Sequence, residues 1–116
     1  MAGAGIDWGS RDPLFGMSRD AFEQALKDSL RGRVEAAYFF GSYGTEAFGP
    51  GSDIDLILVS DTALPFTRRP AIFDDLYDLV PSLDLLVYTP REFEDLVADP
   101  SPGFWQSVAG GLRRLV

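Results

Sequence analysis

Two aspartates, Asp53 and Asp55, stand two residues apart in the run DIDLILVS, residues 53–60. Side chains alternate along an extended chain, so both carboxylates point to one face and Ile54 to the other. Two like charges in an apolar strand repel each other and resist desolvation, and they call for a positive partner. The chain has no histidine, and its one lysine, Lys27, is distant in sequence. A divalent cation is therefore the simplest partner. Mg²⁺ takes oxygen ligands and commonly shares its shell with substrate phosphates. Adjacent carboxylates can also bridge two ions in in-line phosphoryl chemistry. Asp84, in the apolar run LDLLVY of residues 83–88, supplies a third carboxylate if that run lies beside the first. There it could ligate a metal or take the proton of an attacking hydroxyl.

Ten residues of sequence separate this pair from Gly41-Ser42, which closes an earlier apolar run, VEAAYFF. A glycine lets backbone approach a ligand closely, and amides at the opening of a turn form an anion site. Phosphate would be gripped at one end of the loop and metal held at the other. Plainer roles stand beside these. The Asp53/Asp55 pair could be a solvated strand end, Gly41-Ser42 an ordinary turn, and Asp84 a strand-opening cap. Tyr43 in the loop could stack on a nucleobase. Asp74, Asp75 and Asp78 have the spacing of a solvated helical face.

Composition narrows the chemistry. With no cysteine and no histidine, disulfides, thiolate nucleophiles, Cys- or His-ligated metals and Ser-His triads are all excluded. Ten Lys+Arg against 18 Asp+Glu give a net charge of −8. A body this acidic repels a phosphate backbone, so non-specific nucleic-acid binding is not expected. No apolar run approaches a membrane span and no signal peptide is legible, so a cytoplasmic protein without membrane contact is expected.

The elements that must position these residues form one domain. Residues 1–16 are glycine-rich and unpatterned and read as an N-terminal arm, with a single domain over 17–116. Ser18 caps a helix reaching Leu30, with Phe22, Leu26 and Leu30 on one face, and Gly32 suits its C-terminus. Strands are predicted over 34–40, 53–60 and 83–88. A helix over 69–80 should bury Ile72, Phe73, Leu76, Leu79 and Val80. The capping box Thr89-Pro90-Arg91-Glu92 opens another helix, ending near Ala98. A short helix over 101–108 and a last short strand over 112–116 follow. The loop between the first two strands is short, which favours an antiparallel pair. The helix between the second and third suits a parallel crossover. The fold class is α/β (α+β): a small mixed sheet with helices packed on it.

The string FFGSYGTEAFGPGSDIDLILV, with Gly41-Ser42 followed ten residues later by Asp53-x-Asp55, resembles the motif of the DNA polymerase β-type nucleotidyltransferase superfamily. The short chain is similar to its minimal branch, small proteins often encoded beside a HEPN-domain partner. The resemblance implies a nucleotidyltransferase fold and transfer of a nucleoside monophosphate, AMP from ATP, with Mg²⁺ as cofactor. By position, Gly41 and Ser42 would hold the triphosphate together with Asp53 and Asp55. Asp53, Asp55 and Asp84 would be the catalytic, metal-binding triad. The acceptor hydroxyl would lie on a HEPN-type protein partner, giving an antitoxin. A catalytically weak nucleotide-binding module and the transferase subunit of a split antibiotic-modifying enzyme remain alternatives, and a homodimer stays open. The chain departs from the family at one place. Relatives commonly carry a basic residue three positions after the serine, where this chain has Thr45 followed by Glu46. Arg68 or Arg69 could substitute from the next helix.

Overall fold

A computed structural model describes residues 12–98 and 111–116. Helix α1, Arg19–Leu30, starts where Ser18 Oγ accepts the amide N–H of Ala21 at 3.1 Å, a cap that contributes about 1 kcal/mol. Phe22, Leu26 and Leu30 recur every fourth residue and are fully buried. The chain turns at Gly32, where φ is +76°, and enters strand β1, Ala36–Phe40. Strand β2, Ile54–Val59, and strand β3, Leu83–Tyr88, follow, and the two-residue strand β4, Arg113–Arg114, closes the sheet.

The sheet order is β3-β2-β1-β4. β1 runs antiparallel to both β2 and β4, while β2 and β3 are parallel. Both orientations expected for the first three strands are thus observed. Helix α2, Pro90–Ala98, begins with the anticipated reciprocal box: Thr89 N–H donates to Glu92 Oε1 at 2.9 Å and Glu92 N–H to Thr89 Oγ1 at 3.2 Å. The expected helix over 101–108 lies outside the described residues. Among the described residues no helix is long and apolar enough to cross a membrane.

Strand alternation gives the sheet two different faces. Ala37, Phe39, Ile54, Leu56, Leu58, Leu83, Leu85 and Val87 form one core with α1 and with the segment between β2 and β3. On the opposite face, Ala36, Phe40, Ile57 and Val59 form a second, smaller core with Phe93 of α2 and Leu112. Both faces of β2 are covered, which is why its sequence is apolar throughout after Asp55.

The segment between β2 and β3 corrects one expectation. It is a 3-10 helix over Phe66–Asp78, with non-helical backbone at Phe73, φ −114° and ψ 26°. Pro70 has no N–H to donate inside the run and its ring would crowd the carbonyl four residues back. The tighter winding turns Ile72 outward, 44% exposed, and directs Arg69, Phe73 and Leu76 inward. Asp75 also takes a specific partner. Arg33 clamps it through two hydrogen bonds of 2.8 and 2.9 Å and donates to the carbonyls of Ser29 and Ile72, tying the end of α1 to this segment.

Candidate active site

The strand register brings three elements to one point. Phe40, the last residue of β1, faces Asp55 near the start of β2, and Asp55 faces Asp84 near the start of β3. Residues in register project to the same face, so Asp55 and Asp84 lie side by side at the end of the α2-covered face. Asp53 immediately precedes β2 and is exposed. Asp84 is exposed as well, and Asp55 between them is half-buried. The Ile54 amide donates to the Ser82 carbonyl at 2.9 Å, fixing the two strand entrances together. A cavity of about 130 Å³ opens beside Asp53, with Phe15, Ser52 and Ser82 in its wall.

Electrostatics mark Asp55 as the strained member. Burial raises its pKa above the ordinary carboxylate value, and the neighbouring charges of Asp84 and Asp53 raise it further. Burial and the crowding of like charges both disfavour its ionised form. Asp84 also acts on Tyr77, whose phenol is raised first by burial and then by Asp84 and Asp74.

Gly41 supplies the other half of the site. Its φ is +69°, and a Cβ added there would stand 2.4 Å from Asp55 Oδ2. Only glycine satisfies both conditions, so the loop backbone lies directly against the carboxylate. Ser42 follows, and its carbonyl accepts from the Thr45 N–H at 2.9 Å and the Thr45 hydroxyl at 2.6 Å. At the far end of the loop Gly49 and Ser52 close a turn, Gly49 N–H donating to Ser52 Oγ at 3.0 Å and Ser52 N–H to the Gly49 carbonyl at 3.0 Å.

Two sequence expectations about the loop change. Tyr43 is not a free platform for a base: it is 1% exposed, its ring packs tilted against Phe39 with centroids 4.4 Å apart, and its hydroxyl donates to Glu23 Oε2 at 2.8 Å. Burial, with Glu23 beside it, holds that phenol far above its ordinary range. The side chain is the loop's anchor in the core. Arg69 is not the substitute cation either. It is buried, pairs with Glu92 at 2.6 Å and donates to the carbonyls of Leu64 and Val87. Val87 lies at the opposite end of β3 from Asp84. A guanidinium that does reach the loop is that of Arg113, which donates to the Gly41 carbonyl at 3.1 Å and also to the Tyr43 carbonyl. Sequence reading missed it because 72 residues separate it from Gly41.

The donor set suits a hard ion. Asp53, Asp55 and Asp84 offer only carboxylate oxygens, and the chain holds no cysteine or histidine. Among the described residues, no three such side chains are already gathered into a metal-binding cluster. Asp55 and Asp84 are neighbours by register, with Asp53 at the rim, so a cation would draw the three inward and relieve the repulsion raising Asp55.

No curated protein matches the chain. A family model, described as a nucleotidyltransferase domain, matches residues 19–101. That span runs from α1 past the end of α2 and contains Gly41, Ser42, Asp53, Asp55 and Asp84. The four-stranded mixed sheet with its helices is compatible with that fold, and the match extends over more than two thirds of the sequence: the chain belongs to the nucleotidyltransferase domain family.

Proposed function

We propose that this nucleotidyltransferase is of the minimal, polymerase β-like type and transfers AMP from ATP to a hydroxyl on a protein partner. The observation that carries the reading is the row formed by Gly41, Asp55 and Asp84. It sets the Gly41 backbone against one carboxylate, with a second carboxylate beside it.

In this reading the Gly41-Ser42 backbone and the Ser42 hydroxyl receive the triphosphate. Asp53 and Asp55 hold Mg²⁺, with Asp84 completing the set. The ion supplies charge neutralisation at the phosphate oxygens. Asp84 is exposed and so is open to an incoming acceptor. It accepts the acceptor's proton as the acceptor oxygen bonds to the α-phosphorus and the bond to the bridging oxygen breaks, releasing pyrophosphate. In-line geometry requires the acceptor opposite the leaving pyrophosphate, so the acceptor docks over the edge near Ser42 and Asp84. A tyrosine, serine or threonine on a HEPN-type partner, neutralised as a toxin by this modification, fits that requirement. The net charge of −8 suits a basic partner.

The test incubates the protein with α-labelled ATP, Mg²⁺ and the product of the neighbouring gene, and locates the label by mass spectrometry. Label on a partner hydroxyl supports the reading. Label on an added aminoglycoside and none on protein overturns it in favour of a split antibiotic-modifying enzyme. One observation favours a second reading, a nucleotide-binding module without turnover: Thr45 and Glu46 stand where relatives carry a cation. Tight ATP binding with no label transferred would select it.

A further inference from the structure

The loop that receives the phosphates in the reading above carries no basic residue of its own between Gly41 and Ser52, and it includes the acidic Glu46. Three carboxylates stand beside it. A triphosphate entering such a place needs positive charge beyond what a metal ion brings. Two guanidiniums from opposite ends of the chain converge on this loop. A Cβ added at Gly44 would lie 3.2 Å from Arg19 Nη2 and 3.5 Å from Arg113 Nε. Arg19 comes from the first turn of α1 and Arg113 from β4. Arg19 pairs with Glu23 at 2.9 Å and lies over the Tyr43 ring. Arg113 has no carboxylate partner among the described residues. Its contacts are the carbonyls of Gly111, Gly41 and Tyr43.

Those carbonyl contacts orient the loop. All described peptide bonds are trans, and in a trans peptide the C=O and the following N–H point in opposite directions. Drawing the carbonyls of Gly41 and Tyr43 toward Arg113 therefore turns the amides of Ser42 and Gly44 away from it. The same guanidinium polarises both peptides and makes the two outward amides better donors to an anion. Gly44 itself has φ +82°, so its backbone is free to hold this conformation and no side chain intrudes between the two arginines.

We propose that Arg113 and Arg19 form the cationic backing of the phosphate loop. Arg113 is the positioning residue that sets the Ser42 and Gly44 amides, and the pair supplies the charge absent from the loop's own sequence. The ligand class is a polyphosphate, here the triphosphate of the nucleotide, so this inference rests on the functional reading above. It makes the C-terminal strand a working part of a site whose other residues lie at least 29 positions earlier in the sequence.

The test measures binding of Mg·ATP and of inorganic tripolyphosphate by calorimetry, with circular dichroism to verify folding. Wild type, Arg113→Met, Arg113→Lys, Arg19→Gln and, as a control, Arg114→Met are compared. Losing a charge-assisted contact of this kind weakens binding about tenfold or more. Arg113→Met is expected to lose that much affinity for tripolyphosphate. It should also raise KM for ATP more than it lowers kcat, because the loop grips the phosphates before and during transfer alike. Arg113→Lys keeps the charge but lacks the planar fork, so it recovers only part of the affinity. Arg19→Gln is expected to weaken binding severalfold, and Arg114→Met to leave it unchanged. A folded Arg113→Met variant that binds both ligands as wild type does overturns the proposal. Should that variant fail to fold, unchanged affinity in Arg19→Gln overturns it instead. Wild-type protein that binds no Mg·ATP at all removes the functional reading and this inference together.

Discussion

Asp55 carries the largest electrostatic burden among the site residues, and its sign is testable. Its folded-state pKa lies above the unfolded value. Stability from this group is therefore full below the ordinary carboxylate range and is lost as pH rises through the raised value. At neutral pH the metal-free protein bears the penalty. Asp55→Asn should raise the melting temperature of the metal-free protein by a few degrees at pH 7 while abolishing transfer, read by thermal denaturation in EDTA beside a turnover assay. A variant that melts lower, or that keeps turnover, contradicts the assignment. Asp84→Asn should keep nucleotide binding and lose about 10²–10⁴ in transfer rate, the usual worth of a general base. Gly41→Ala forces a methyl onto Asp55 Oδ2 at 2.4 Å in a left-handed conformation. It is expected to cost about 1–3 kcal/mol of stability, measured by urea denaturation, along with nucleotide affinity.

Among the elements, the two strand entrances and the loop between β1 and β2 do the positioning, and the anchors at the opposite sheet end hold them steady. The Arg69–Glu92 pair joins the 3-10 segment to α2 across the end of β3. Glu92→Ala leaves the buried guanidinium without a carboxylate partner, and it also removes the reciprocal cap on Thr89. A loss of about 1–2 kcal/mol is expected by denaturant titration, discounted because Glu92 is half-exposed. Arg69 is the first cause of Glu92's lowered pKa. This contribution is therefore present above the ordinary glutamate range and fades as pH falls through the lowered value.

Much of this level was legible in the sequence. Ser18, the Thr89–Glu92 box and the apolar run after Asp55 are local signals, and the short first loop and the helix in the second connection indicated the strand directions. What stayed hidden was non-local or subtle. The stripe over 69–80 fits an α-helix by spacing, but Pro70 and the break at Phe73 tighten the winding and expel Ile72. Tyr43 looked available because it sits in a glycine-rich loop, yet Phe22 of α1, Phe39 of β1 and Phe48 of the same loop close around it. The strand register that sets Asp84 beside Asp55 was conditional on pairing. Arg113 gave no local sign.

The whole molecule is an acidic body built on a four-stranded sheet, with the site at one sheet end between two unequal cores. Its net charge of −8 predicts that association with a basic partner slows and weakens as salt rises from low to physiological strength, seen by surface binding kinetics. An association rate independent of salt would point to an apolar interface instead. The central claim is that Gly41, Asp55 and Asp84 make one metal-and-nucleotide site. Calorimetric titration of wild type and Asp55→Asn with ATP, each with Mg²⁺ and with EDTA, tests it most directly. The account predicts metal-dependent binding of ATP to wild type, and its loss, by about tenfold or more, in a folded Asp55→Asn variant. Equal affinity in the two proteins, or binding to wild type that ignores the metal, would contradict it.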